Sequence, residues 1–155
     1  MYLIDRNIPV FELAKHIISG EKNFIANCAN LSSLIFHYYE NLNWTGFYFA
    51  EDNELVLGPF QGLPACIRIK FGRGVCGTAA ETKQIQLIDD VHQFPGHIAC
   101  DSNSKSELVI PIIKENKCLG VLDLDSPINN RFSQEMAEEL SKCIEFLLDE
   151  SEIKY

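Results

Sequence analysis

From Pro9 to Ser19 the apolar residues Val10, Leu13, Ala14, Ile17 and Ile18 recur at helical spacing, with proline near the start and Gly20 as a stop. This predicts an amphipathic helix. A second helical stretch is expected from Lys22 to Asn41, with Ile25, Cys28, Leu31, Ile35 and Tyr38 on its apolar stripe. The pattern then changes to short period-two segments separated by glycine and polar turns, which signals an antiparallel sheet. Trp44 to Ala50 is the first strand, with Trp44, Gly46 and Tyr48 on one face and Thr45, Phe47 and Phe49 on the other. The acidic turn from Glu51 to Glu54 leads to a hairpin partner, Leu55 to Phe60. After a turn at residues 61–65, Ile67, Ile69 and Phe71 alternate with Arg68 and Lys70 as a half-exposed strand. Helical character resumes from Thr78 to Lys83, and Gln84 to Ile88 reads as a short strand. Glu107 to Ile113 and Cys118 to Asp125 are two further strands joined by a polar turn. Phe132 and Ser133 open a last helix whose buried stripe is Met136, Leu140, Ile144, Leu147 and Leu148.

No linker, repeat or low-complexity tract interrupts these elements, so the reading is one α+β domain over residues 1–155, with helices flanking a mostly antiparallel sheet. A chain of 155 residues buries roughly 68 to 70 per cent of its unfolded surface, so no disulfide staple is required. The net charge of -9 argues against nucleic acid or an anionic membrane as partner, because both need a basic face. A cationic or zwitterionic small ligand suits it better. Met1 to Arg6 has no basic region of the signal-peptide kind, and no segment has the run of apolar residues that a membrane span needs, so a cytoplasmic protein is expected.

Six cysteines are many for a reducing compartment. Cys28 and Cys143 fall on helical apolar stripes and read as core. No CxxC pair occurs, and His97 and Cys100, three apart, lack the second pair of closely spaced ligands that structural zinc takes, so no metal is expected. Cys76 lies among Gly72, Gly74 and Gly77 just before a helical stretch, where a helix N-terminus favours the thiolate. Those glycines lack the GK[ST] of a phosphate loop. The stretch FPGHIACDSNSKSE, Phe94 to Glu107, sets a Pro-Gly turn, a histidine, a cysteine and an acid on one loop, a place where catalysis concentrates. Asp123 and Asp125 point to one face of their strand while Leu122 and Leu124 pack on the other. Like charges side by side on an apolar strand cost stability unless something uses them.

Cys66, Cys76 and Cys100 with Glu107, Asp123 and Asp125 therefore all fall at strand ends or on one strand face, and can converge on a single pocket. Such a set suits a thiolate that attacks an electrophilic centre, an acid that gives a proton to the departing oxygen, and further thiols that close the oxidised intermediate to a disulfide. Clustered acids raise one another's pKa, leaving one carboxyl protonated near neutrality beside an anion able to hold an ammonium group.

The segments NWTGFYF, GPFQGLPACIRI, GRGVCGTAAE, DVHQFPGHIACDSNSKSELVIPI and GVLDLDSP, in unbroken order from Asn43 to Pro127, resemble the free methionine (R)-sulfoxide reductases, which are stand-alone GAF domains. The resemblance implies a GAF-like fold of about six mostly antiparallel strands with flanking helices. It implies reduction of free L-methionine (R)-sulfoxide at the expense of thioredoxin, with no metal or organic cofactor and with a homodimer as the assembly. It implies Cys100 as the catalytic thiol, Cys76 and Cys66 as resolving partners, Glu107, Asp123 and Asp125 as substrate-binding acids, and Trp44 and Tyr48 as walls of the methyl-sulfoxide end. In that scheme Cys76 closes the first disulfide on Cys100, Cys66 joins a second exchange, and Glu107 is the first choice of proton donor. Leu108 and Leu124 replace familiar isoleucines, and Cys118, outside the motif, is assigned a structural role. The other class of function is a ligand- or redox-sensing GAF module. Against it stand the three acids, which a sensor does not need, and a single-domain reading that leaves nothing attached to receive a signal.

Overall fold

The structure, a computed structural model, describes residues 4–98 and 100–154. The elements follow in the order α1 (Val10–Ile18), α2 (Phe24–Tyr38), β1 (Trp44–Glu51), β2 (Glu54–Gly62), β3 (Arg68–Lys70), α3 (Gly74–Thr82), β4 (Gln86–Ile88), a short 3-10 turn at Val91–Gln93, β5 (Ser106–Lys114), β6 (Lys117–Ser126) and α4 (Gln134–Glu150). The strands form a sheet in the order β3-β2-β1-β6-β5-β4, and every pairing is antiparallel. The α+β reading with about six strands is what the structure contains.

Two apolar layers cover the two faces of the sheet. On one, Phe47, Leu108, Ile110, Ile112, Leu122 and Leu124 pack against α1, α2 and α4, including Cys28 and Cys143, both fully buried. Burial pushes the Cys143 thiol up to about 12 and Cys28 higher still, so neither is a nucleophile at physiological pH. On the other face, Trp44, Tyr48, Val109 and Val121 pack against α3 through Val75, Cys76, Ala79 and Ala80. The alternation expected for β1 is therefore realised, its two sets of aromatics serving two different layers. Cys118 is also buried in the second layer, its thiol donating to the Gly120 carbonyl at 3.3 Å, a packing position.

The local signals explain most boundaries. Asn23 caps α2 by accepting from the Ala26 N–H, and Ser133 caps α4 by accepting from the Met136 N–H. Ile25 corrects the expected stripe of α2, being 49% exposed, whereas Phe24 is buried. At about 100° per residue, Ile25 stands a quarter-turn off the line through Cys28, Leu31 and Ile35, and Phe24 stands on it. Helix α3 begins at Gly74 rather than Thr78, so the glycine-rich lead-in is itself helical. The strand expected through Ile67 is shorter: Ile67 is 70% exposed and the strand runs from Arg68 to Lys70, although the Ile67 carbonyl still accepts from the Leu57 N–H at 2.9 Å.

Candidate active site

Register on the α3 side of the sheet decides which side chains meet. Trp44 on β1 is opposite Asp125 on β6, which is opposite Glu107 on β5; the next row inward is Gly46, Asp123 and Val109. Directly opposed residues in an antiparallel pair project to the same face, so the three acids share one surface with Trp44 and Tyr48. Gly46 is required there. A Cβ at that position would lie 2.3 Å from the Phe60 Cβ and 2.7 Å from the Trp44 ring. Its absence lets Trp44 stack between Phe60, at 5.2 Å between centroids, and Tyr48, at 5.8 Å.

The aromatic wall also holds the loop that carries one of the cysteines. The Trp44 indole donates to the Leu63 carbonyl at 3.1 Å, and the Tyr48 hydroxyl donates to the Cys66 carbonyl at 3.0 Å. Cys66 is bonded through its sulfur to Cys100, with 5.5 Å between their Cα atoms. The loop bearing Cys100 is tied down on its other side by Asn43, whose amide donates to Asp101 Oδ2 at 2.8 Å and to the Ser104 hydroxyl at 3.1 Å. It leans on α3 as well. Gly74 has φ +61, and a Cβ there would press on the Ile98 side chain at 3.2 Å.

Between these walls lies a pocket of about 520 Å³, part of it open to solvent. Trp44, Tyr48, Cys76, Cys100, Glu107, Asp123 and Asp125 all line it, so seven of the eight residues singled out in the sequence meet in one cavity; the eighth, Cys66, is attached to it through the disulfide. Glu107 and Asp123 are each 6% exposed at its floor, and Asp125 is half-buried beside them. Burial pushes Glu107 well above the usual carboxylate range, and the neighbouring charges of Asp123 and Asp125 push it further. Burial raises Asp123 only to about 6, because the protons on neighbouring Glu107 and Cys76 favour its anion. Asp125 is also held high by burial and by Asp123. Glu107 therefore holds its proton more firmly than Asp123, the acid of the pair that ionises first. Asp123 lines the cavity, and among the described residues its buried Oδ1 atom has no hydrogen-bond partner.

One expectation changes here. Cys76 is the third residue of α3, near the helix N-terminus as expected, yet its thiol is held well above the ordinary cysteine value by burial and then by Asp123, Glu107 and Asp125. A helix dipole contributes at most about 2 kcal/mol, and burying a charge costs several, so burial wins and Cys76 stays a thiol, 3.7 Å from Glu107 Oε1. The disulfide joins Cys100 to Cys66, one of its two expected partners, and leaves Cys76 free in this state.

His97 is the lining residue that the sequence reading weighed only as a metal ligand. Its Nε2 stands 3.8 Å from Glu107 Oε2. Desolvation, then the charge of His92, lowers its pKa, so His97 and Glu107 meet as neutral groups rather than as an ion pair. Its place three residues before Cys100 was the available signal. Asn43, which anchors the loop, opens the first motif segment but carries no periodicity that would single it out.

The fold and this cavity define the class. Residues 26–146 match the model of the GAF domain family, and the chain belongs to it. A free methionine-R-sulfoxide reductase of Escherichia coli is 50% identical over 128 residues, 83% of this chain and 78% of that protein. One of Saccharomyces cerevisiae is 50% identical over 136 residues, 81% of this chain and 76% of that protein. The structure of free methionine-R-sulfoxide reductase from Neisseria meningitidis in complex with its substrate is 38% identical and superposes with a TM-score of 0.88 over 91% of this chain and 85% of that one. Within the GAF domains, the chain is a member of the free methionine-R-sulfoxide reductase family.

Proposed function

We propose that this protein reduces free L-methionine (R)-sulfoxide to L-methionine, with Cys100 as the nucleophile and Cys66 as its resolving partner. The observation that carries the reading is the Cys66–Cys100 disulfide at the mouth of a pocket floored by buried acids. The Cys100 thiolate attacks the sulfoxide sulfur, the S–O bond breaks, and the oxygen passes to Cys100 as a sulfenic acid with a proton from Glu107; methionine leaves with the electron pair. The Cys66 thiol then attacks the Cys100 sulfur, expelling water and closing the disulfide. Thioredoxin, a dithiol, takes over that disulfide and returns both cysteines to thiols. Asp123, the anion of the cluster, receives the substrate ammonium through its unpartnered Oδ1, and Asp125 supports it. Trp44 and Tyr48 wall the methyl group, which selects the (R) sulfoxide. Cys76, kept as a thiol by burial, donates a hydrogen bond to Glu107 and does not resolve Cys100 in this cycle.

One GAF domain suffices for this chemistry, and a thiol cycle of this kind belongs to the reducing cytoplasm. Among the described residues no helix is long and apolar enough to cross a membrane. The test is steady-state turnover with thioredoxin, thioredoxin reductase and NADPH. The free (R) sulfoxide should sustain NADPH consumption and the (S) sulfoxide should not; a protein idle with both would overturn the proposal.

A further inference from the structure

The floor of the pocket holds a sulfur and two carboxylates in an arrangement that an ammonium group does not use in full. Cys76 Sγ and one carboxylate oxygen from each of Glu107 and Asp123 all lie within 4.8 Å of one another, and the sulfur is 3.7 Å from Glu107 Oε1. Tetrahedral zinc takes thiolate sulfur at about 2.3 Å and carboxylate oxygen at about 2.0 to 2.2 Å, which sets neighbouring ligand atoms about 3.4 to 3.6 Å apart. Movements of a few tenths of an ångström to about one ångström would therefore close the set around an ion. The three residues come from α3, β5 and β6, so no closely spaced motif announces them.

A second observation points to a missing ligand. Asp123 is 6% exposed, lines the pocket, and its Oδ1 is buried with no donor among the described residues; buried oxygens are otherwise almost always bonded. We propose that the pocket floor binds one thiophilic divalent cation of the zinc class through Cys76, Glu107 and Asp123, with the fourth position open to water, and that this cation competes with the amino-acid substrate. Sulfur selects zinc-like ions over magnesium or calcium, which take oxygen ligands. His97, 3.8 Å from the Glu107 oxygen other than the one facing Cys76, stands where an outer partner orients a ligating carboxylate. Ligation takes Cys76 as thiolate and Glu107 and Asp123 as carboxylates, so binding releases protons and weakens as pH falls. Because the disulfide occupies Cys66 and Cys100 but not Cys76, the site persists in the oxidised protein. Only the competition rests on the function proposed above; the binding does not.

The experiment adds cobalt(II) chloride to the disulfide form of the intact protein, in which Cys66 and Cys100 cannot ligate. A thiolate-to-cobalt absorption band should rise and saturate at one equivalent, with proton release to a weak buffer. Cys76→Ser and Asp123→Asn should each weaken binding by more than about 100-fold, beyond the loss of an outer partner, while Cys118→Ser leaves the titration unchanged. Circular dichroism confirms that each variant is folded, and zinc should displace cobalt where magnesium does not. No band, a band that survives Cys76→Ser, or a band lost in Cys118→Ser would overturn the site. Millimolar free methionine should shift the titration to higher cobalt by more than equimolar alanine, which chelates cobalt alike in solution, and equal shifts would overturn the competition. Turnover of chelator-treated, metal-free protein reports separately on the reductase reading.

Discussion

Acetylating the substrate's amino group replaces a cation with a neutral amide and leaves every other group of methionine sulfoxide in place. In the proposed binding mode that cation faces Asp123, buried at 6% exposure with an oxygen that no described residue satisfies, and beside it Glu107 and Asp125. Removing one member of a buried charge pair costs about 3 to 5 kcal/mol, because the other is left uncompensated. The proton uptake open to Asp123 limits that cost, since its pKa already stands at about 6 and it can neutralise when unpaired. The lower end of the range is therefore the better figure, about 3 kcal/mol, or a loss of roughly 150-fold in kcat/KM. The assay compares free and N-acetyl L-methionine (R)-sulfoxide with thioredoxin as reductant, in the native protein and in Asp123→Asn. The native protein should discriminate by roughly two orders of magnitude, and Asp123→Asn should lose most of that discrimination because it is poor with both substrates. Discrimination equal in the two proteins would refute Asp123 as the anchor, and similar rates for both substrates in the native protein would refute the anchor altogether.

Cys100→Ser should abolish turnover, whereas Cys66→Ser should release one methionine per chain and stall at the sulfenic acid, which a dimedone adduct would trap; continued turnover by Cys66→Ser would remove it from the resolving role. Glu107→Gln should lower kcat by about 10²- to 10⁴-fold through loss of the proton donor, and an unchanged kcat would return the role to another group. For Asp123, whose folded pKa is raised to about 6, the folded state binds protons more tightly than the unfolded one. Its contribution is present below the unfolded carboxylate value and is lost as pH rises through about 6, so the Tm of the substrate-free protein should fall less across that window in Asp123→Asn than in the native protein. Gly46→Ala drives a Cβ to within 2.3 Å of the Phe60 Cβ and should destabilise by about 1 to 3 kcal/mol, read in urea unfolding, while displacing the Trp44 ring.

The sheet and its helices were legible because each strand carries its own period-two pattern and each face finds its own apolar layer. Trp44 and Tyr48 on one side and Phe47 on the other are the example. The convergence of Glu107, Asp123 and Asp125 was legible too, since parity along two neighbouring strands decides the face and short turns fix the register. Burial depth was not. Nothing in GRGVCG says that the helix it opens lies flat on a face holding three acids, and that contact reverses the expected character of Cys76. Cysteine pairing was equally hidden, because it depends on how the loop ending at Cys66 is folded back by bonds from Trp44 and Tyr48 toward Cys100. Ile25 is a failure of another kind, since at about 100° per residue it already stands a quarter-turn off the stripe that Phe24 shares, and its exposure follows.

A single-turnover experiment tests the central claim most directly. The protein is reduced, freed of reductant and mixed with excess free L-methionine (R)-sulfoxide; the methionine formed is then counted and the disulfide located by peptide mass spectrometry. The account predicts one methionine per chain, with Cys66 joined to Cys100 and Cys76 still a thiol. No methionine, or methionine formed with Cys76 joined to Cys100 and Cys66 free, would contradict it.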